Sequence, residues 1–249
     1  MNNLTNDSIR YQLLITIPAH IVAALSIIFL DFFNINWLTI ALTFIIIYWF
    51  GIQACYHRMI AHRSWEPKNS IIKIILSLIG CLGMQGGPIS WALIHRCHHK
   101  FSDTDKDPHT PAHGKLHAYY LWVFKIPPIP LFYVKDLLKD AQLMFIEKYC
   151  KHILYFFLIL ASVLSINLAI NILIGMIITF HFDMYINAFL HKRLDDKVEP
   201  INNNLLSILS AGGSLHKHHH DDPSNFSFKV QRNEIDVCST IIKFLKKGR

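Results

Sequence analysis

His95-Arg96-Cys97-His98-His99-Lys100-Phe101-Ser102-Asp103-Thr104-Asp105-Lys106-Asp107-Pro108-His109 is the stretch around which the rest of the chain has to be arranged. On a helix turning about 100° per residue, positions 95, 98 and 99 fall within about 100° of one another, so three imidazoles aim at one point. Cys97 faces away. The same i, i+3, i+4 spacing returns far downstream at His216, His219 and His220, within His216-Lys217-His218-His219-His220. A fold that uses both triplets must bring the two segments together.

Composition says where that fold sits. Hydrophobic residues make up 52% of the 249 and charged residues only 16%, against roughly 25% charged in ordinary soluble domains. That balance points to a membrane protein. The formal charge is +7, but its placement argues against nucleic acid: all 24 Lys and Arg lie in residues 1–10, 57–151 or 192–249, outside the apolar stretches. This is the positive-inside pattern, and it assigns those regions to the cytoplasmic face. The five cysteines are dispersed and form no C-x-x-C pair, which reads as reduced thiols used as small fillers.

The apolar runs predict four transmembrane helices in two hairpins, over about 11–30, 37–56, 152–166 and 168–190. A turn at 31–36 closes the first hairpin. Residues 57–151 and 192–249 then form a cytoplasmic, histidine-rich helical cap, with both termini on the same side. The expected architecture is an all-α integral membrane protein folded as one domain. The apolar segment 71–82 is too short to span and reads as interfacial or buried. Val134, Leu137, Leu138, Ala141, Met144 and Phe145 recur at helical spacing, which predicts a separate amphipathic helix after the Pro127-Pro128 break.

The histidines cluster at the ends of spans 2 and 4. His57 and His62 leave the second span and His191 ends the fourth, with the two triplets beyond them. An α-helix would set His57 and His62 about 140° apart, so they would reach two different metals or straddle a bend. Nine imidazoles exceed one metal's shell of four to six but fit two, and imidazole suits Zn, Cu, Fe and Ni.

His57-Arg58-x-x-Ala61-His62-Arg63-Ser64, Trp91-x-x-x-His95-Arg96-x-His98-His99-Lys100, Asp103-Thr104-x-x-Asp107-Pro108-His109 and His216-x-x-His219-His220 together resemble the membrane fatty-acyl desaturases, most closely the acyl-CoA delta-9, stearoyl-type branch. The resemblance covers nearly the whole chain. It implies a di-iron centre bound by His57, His62, His95, His98, His99, His191, His216, His219 and His220. It also implies that Asn187, four residues before His191, holds a metal through water, the two sharing one helix face. The chain departs from the family at two places around the third box. The usual Gly-Glu-Gly ahead of the third box is Gly212-Gly213-Ser214 here, and Lys217 stands where the box often has Asn, so contacts behind the ligands are expected to differ.

Further candidates follow from position. Asp183 lies in the fourth span, in register with Asn187 and His191. An intramembrane carboxylate of this kind either pairs with His181 or His20 or lines the acyl channel. Trp91, one turn before His95, is a candidate channel wall. Asp103, Asp105 and Asp107 are candidates for hydrogen-bonding the distal nitrogens of metal histidines, and His109 is a candidate donor that anchors the loop after the second box.

The resemblance implies O2-dependent insertion of a cis double bond into a long-chain acyl thioester or lipid. Electrons would come from a separate donor of ferredoxin or cytochrome b5 type, because no G-x-G-x-x-G or fused carrier occurs in the chain. The same scaffold would also serve a lipid hydroxylase or oxygenase. A histidine-rich metal transporter is the rival from another class, but it would place its ligands at mid-membrane depth, whereas these lie at one face.

Overall fold

The computed structural model describes residues 4–29, 35–194 and 197–248. The first rod, α1, runs through Leu4–Tyr11, a π-wound segment Gln12–Thr16 and Ile17–Phe29. The second, α2, starts as an α-helix at Trp37–Ile45, where Asn36 caps it by accepting from the Thr39 amide. It then continues with π winding over Ile46–Ala61. Helices α3 (Ser70–Cys81) and α4 (Pro88–Phe101) follow, then the short α5 (Lys115–Tyr119). Two helices of 24 residues each, α6 (Ala141–Leu164) and α7 (Ile166–Phe189), meet at Ser165. A two-stranded antiparallel hairpin, β1 (His191–Leu194) and β2 (Lys197–Pro200), opposes His191 to Pro200. Helices α8 (His216–Asp221) and α9 (Val237–Leu245) complete the tail.

Three of these helical stretches, Asn6–Ile28, Trp37–Ala61 and Ile166–Phe189, are long and apolar enough to cross a bilayer. The chain is therefore a mostly helical integral membrane protein. Several sequence expectations change. The second rod runs on to Ala61, so His57 lies inside the helix rather than beyond it. The segment expected as a short span at 152–166 is the second half of α6, and the amphipathic helix expected ahead of it does not stand apart. Residues 131–139 form short 3₁₀ turns, and α6 begins at Ala141 with Asp140 as its cap. Glu147, Lys148 and Lys151 in the first half of α6 broke the apolar pattern and hid its continuity. The β-hairpin is an addition to the all-α expectation. The turn expected at 31–36 falls mostly outside the described residues.

Close helix approach brings the histidine-bearing segments to one place. α3 lies directly on α2 because two glycines face each other: a Cβ on Gly51 would come within 2.7 Å of the Gly80 amide nitrogen. α3 is amphipathic, with Leu76 buried while Ile71 and Ile75 stay exposed, which fits its expected interfacial or buried role. The N-terminus of α4 has no side-chain cap of its own after Gly87-Pro88. The Glu147 carboxylate of α6 supplies one from outside, accepting from the Ile89 and Ser90 amides at 2.7 and 3.2 Å. A negative group at a helix N-terminus is stabilising. Here it sets the axis of the helix that carries His95, His98 and His99.

Candidate metal centre

The π winding of α2 decides the geometry of the first box. Its i→i+5 hydrogen bonds include His62 N–H to the His57 carbonyl at 3.1 Å. Residues five apart therefore come close to the same face, and the His57 and His62 rings lie 5.1 Å apart. The separation of about 140° expected for an α-helix does not occur, and the pair shares one group. The other triplets behave in the opposite way. His95, His98 and His99 do not serve one point, because His98 turns from the other two.

The outcome is two groups of convergent nitrogens. His57, His62, His95, His99 and His219 form one, and His98, His191, His216 and His220 form the other, with ligand atoms inside each group within 4.8 Å of one another. Each triplet contributes to both. His191 is delivered differently from the expected helix face: α7 stops at Phe189, and His191 opens β1 beyond it. Asn187 remains on the helix and lines the adjacent cavity.

Burial keeps His62, His95, His99, His191, His216, His219 and His220 neutral, the form in which histidine binds a metal. It pulls His62 down to about 3, with Arg96 adding to the effect. His95, His99, His216, His219 and His220 are driven well below the ordinary range by burial first and neighbouring histidines second. His191 is also lowered by burial, against the opposing pull of Asp103.

Which ring nitrogen faces inward is fixed from behind. His98 Nδ1 donates to Asp107 Oδ2 at 2.8 Å, and His191 Nδ1 donates to Asp103 at 3.0 and 3.1 Å. Asp107 also accepts from the Asp103 and His109 amides. Asp103 adopts a left-handed backbone with φ 63°, a conformation uncommon outside glycine, which turns its carboxylate back to His191. Among the smaller residues, His57 Nδ1 donates to Gln53 Oε1 at 3.1 Å.

Two arginines, each following a histidine, tie the boxes together. Arg96 donates to the Ala61 and Ile60 carbonyls at the C-terminus of α2 at 2.7 and 2.9 Å, and to Asp136 at 2.8 Å. Arg58, fully buried, pairs with Asp236 at 2.9 Å, donates to the Phe226 carbonyl and lies 3.8 Å over the Phe228 ring. Phe228 in turn packs 4.4 Å from His219. The sequence reading passed over both arginines, although the repeated His-Arg pair was the available signal. A helical residue next to an inward ligand points elsewhere and is free to hold a neighbouring segment.

The inward nitrogens are arranged as a cation site would require. The lone pairs of His191 Nε2 and His98 Nε2 point inward, facing His216 at 2.9 Å and His220 at 3.3 Å, while His216 and His220 face each other at 3.2 Å. If His216 and His220 each donate outward, nothing is left to bridge the contact between them. In the other group His219 Nε2 meets both His57 at 2.9 Å and His99 at 2.8 Å, yet it can carry only one proton. No proton assignment satisfies either set. A positive ion among neutral imidazoles satisfies each at once, so these residues fit the metal pair that the resemblance implies.

A cavity of about 390 Å³ reaches this site. His95, Trp91, His109, Asn187 and Asp183 all lie on its wall, and Ile94, Trp122, Val123, Ile126, Phe180 and Met184 make much of it apolar. Trp91 stacks on His95 at 4.8 Å and donates to Gln85 Oε1 at 2.8 Å. His109 stacks on His98 at 4.3 Å. Asp183 does not pair with either expected histidine. His20 and His181 bind each other at 2.7 Å, with Thr16 and Tyr119 as their other partners. Asp183 instead faces the cavity beside Gln85 and Tyr48. His218 turns away to Glu234 at 2.8 Å, and Asp105 pairs with His113 at the surface. All five cysteines are buried and unpaired.

The profile of the fatty acid desaturase family matches residues 35–228 of the chain. The chain belongs to the fatty acid desaturase family. It is thus an oxidoreductase, and the matched span holds both histidine groups. Delta-9 acyl-lipid desaturase 1 of Arabidopsis thaliana is 31% identical over 246 residues, covering 91% of this chain and 80% of that protein. Delta(9)-fatty-acid desaturase fat-6 of Caenorhabditis elegans is 29% identical, covering 83% of this chain and 67% of the relative. A sn-1 stearoyl-lipid 9-desaturase of Synechocystis is 30% identical over 244 residues, covering 91% and 74%.

Proposed function

We propose that this desaturase inserts a cis double bond into a long-chain acyl group, carried as a thioester or a lipid, at a di-iron centre. In this reading His57, His62, His95, His99 and His219 bind one iron and His98, His191, His216 and His220 the other, with Asn187 acting through water. The observation that carries it is the meeting of two nitrogen clusters with an apolar cavity at His95. When bound, the irons supply the redox chemistry: O2, two electrons and two protons take two hydrogens from the chain and leave two waters.

The protein's own part is placement and exclusion of water. Asp103 and Asp107 hold the Nδ1 protons of His191 and His98, which leaves their Nε2 lone pairs aimed inward. Trp91 and the apolar wall confine the methylenes beside His95, and such confinement converts a diffusive encounter into a positioned one. The four long rods are read as two transmembrane hairpins, with the histidines and both termini on the cytoplasmic side. The confinement of all 24 Lys and Arg to residues 1–10, 57–151 and 192–249 supports that orientation. A separate ferredoxin or cytochrome b5 type protein would deliver electrons there. Relatives named for acyl-lipid and for acyl-CoA substrates support an acyl substrate without choosing its carrier.

Expression in a host lacking desaturases, with iron and a donor supplied, tests this by mass spectrometry of the fatty acids. A new monounsaturated species is expected, and its double-bond position would give the regiochemistry. A hydroxylated product would support the hydroxylase rival. No new product despite iron loading would overturn the reading.

A further inference from the structure

Gly213 stands where the resembling enzymes usually carry glutamate, and the space above it is occupied. A Cβ on Gly213 would meet the Nε2, Cδ and Oε1 atoms of Gln53 at 2.8 to 2.9 Å. The Gln53 amide, reaching across from α2, fills the place a side chain on that turn would take. Gln53 is buried, as is Tyr48 beside it. Its Nε2 donates to the Tyr48 hydroxyl at 3.1 Å while its Oε1 accepts from His57 Nδ1 at 3.1 Å.

This orientation has consequences for His57. The Tyr48 hydroxyl oxygen is the acceptor of the Gln53 Nε2–H, 3.1 Å away, and the amide has one donating end and one accepting end. With Nε2 so engaged, Oε1 must face His57, and the His57 proton must sit on Nδ1. The Nε2 lone pair then points at His219, 2.9 Å away. The reverse amide orientation would put a proton on the inward nitrogen and remove the ligand.

We propose that Gln53, set by Tyr48 and given room by Gly213, is the positioning residue of His57, and that it supplies a neutral acceptor where the other group has carboxylates. The inference rests on the reading of the nine histidines as iron ligands. His98 and His191 lean on Asp107 and Asp103, which make an imidazole more electron-rich than an amide does. The two iron positions therefore differ in charge support, with the five-histidine group stabilising ferric iron less.

The test compares the full-length wild type with Gln53→Leu, Gln53→Glu and Gly213→Ala, by iron per chain and by the midpoint potentials of the bound iron. Gln53→Leu removes the acceptor and is expected to weaken iron binding at one of the two positions by about 10- to 100-fold. Gly213→Ala displaces the amide and should do the same to a smaller extent. Gln53→Glu keeps the shape and the acceptor, so iron content should recover while one potential moves to a more negative value. Wild-type iron content and potentials in Gln53→Leu would overturn the proposal. If that variant fails to fold, unchanged potentials in Gln53→Glu would overturn it equally. A wild type that binds no iron would instead overturn the di-iron reading beneath it.

Discussion

Replacing His98 by alanine should lower desaturated product by more than about 100-fold, a loss beyond that of removing a contact behind a ligand. His98 is held both from behind and by the other histidines of its group. Its Nδ1 is held by Asp107 at 2.8 Å, its Nε2 faces His220 at 3.3 Å, and its ring lies against His109 and His191. It belongs to the group of four, which has fewer nitrogens to spare than the group of five. His98→Ala therefore removes a ligand and also orphans the Asp107 carboxylate. His218→Ala is the matched control, because His218 sits two residues from His216 and His220 but turns outward to Glu234. That variant should keep most of its product. Comparable losses in both variants would show that the split into two inward groups does not describe the working site.

The largest stability effect should come from Asp236→Ala. Arg58 and Asp236 form an ion pair whose side chains are both 0% exposed. Asp236 also accepts from the Phe228 amide at 2.7 Å and caps α9 through the Ser239 amide at 3.0 Å. Removing the carboxylate leaves a guanidinium buried without its counter-charge, which costs about 3–5 kcal/mol. For a chain of this size the shift in melting temperature would be roughly 10 °C. Replacing both partners by apolar residues, as in Arg58→Met with Asp236→Leu, should recover much of that loss, since the penalty comes from the unpaired charge rather than from a lost attraction. A thermal shift on detergent-purified protein reads both. An Asp236→Ala variant as stable as wild type would remove Arg58 as the strut between the first box and the tail.

How much of this was legible in the sequence depended on whether a feature was local. The spacing of His95, His98, His99, His216, His219 and His220 is a property of short segments, and it identified the residues that converge. Their division into two groups is not local, because it is set by how α4 and α8 approach each other. The π winding of α2 was hidden too. The helical periodicity of Ile46–Ala61 reads as an α-helix, and its π winding is seen only in the structure. α6 read as half its length because a hydropathy window sees Glu147, Lys148 and Lys151 as water-facing. One of them, Glu147, is instead spent on the N-terminus of α4. Arg58, Arg96 and Gln53 were passed over because the histidines between them explained the motif already. The carboxylates Asp103 and Asp107 were anticipated as partners of the histidines' distal nitrogens, and both stand there.

Metal analysis of the purified chain tests the central claim most directly. Protein produced with iron and quantified by elemental analysis should hold about two irons per chain, as a centre of paired metals requires. X-ray absorption should show nitrogen-dominated coordination, and iron should fall in His98→Ala but not in His218→Ala. A chain that stays folded yet takes up no iron under those conditions, or keeps its full iron in His98→Ala, would contradict it.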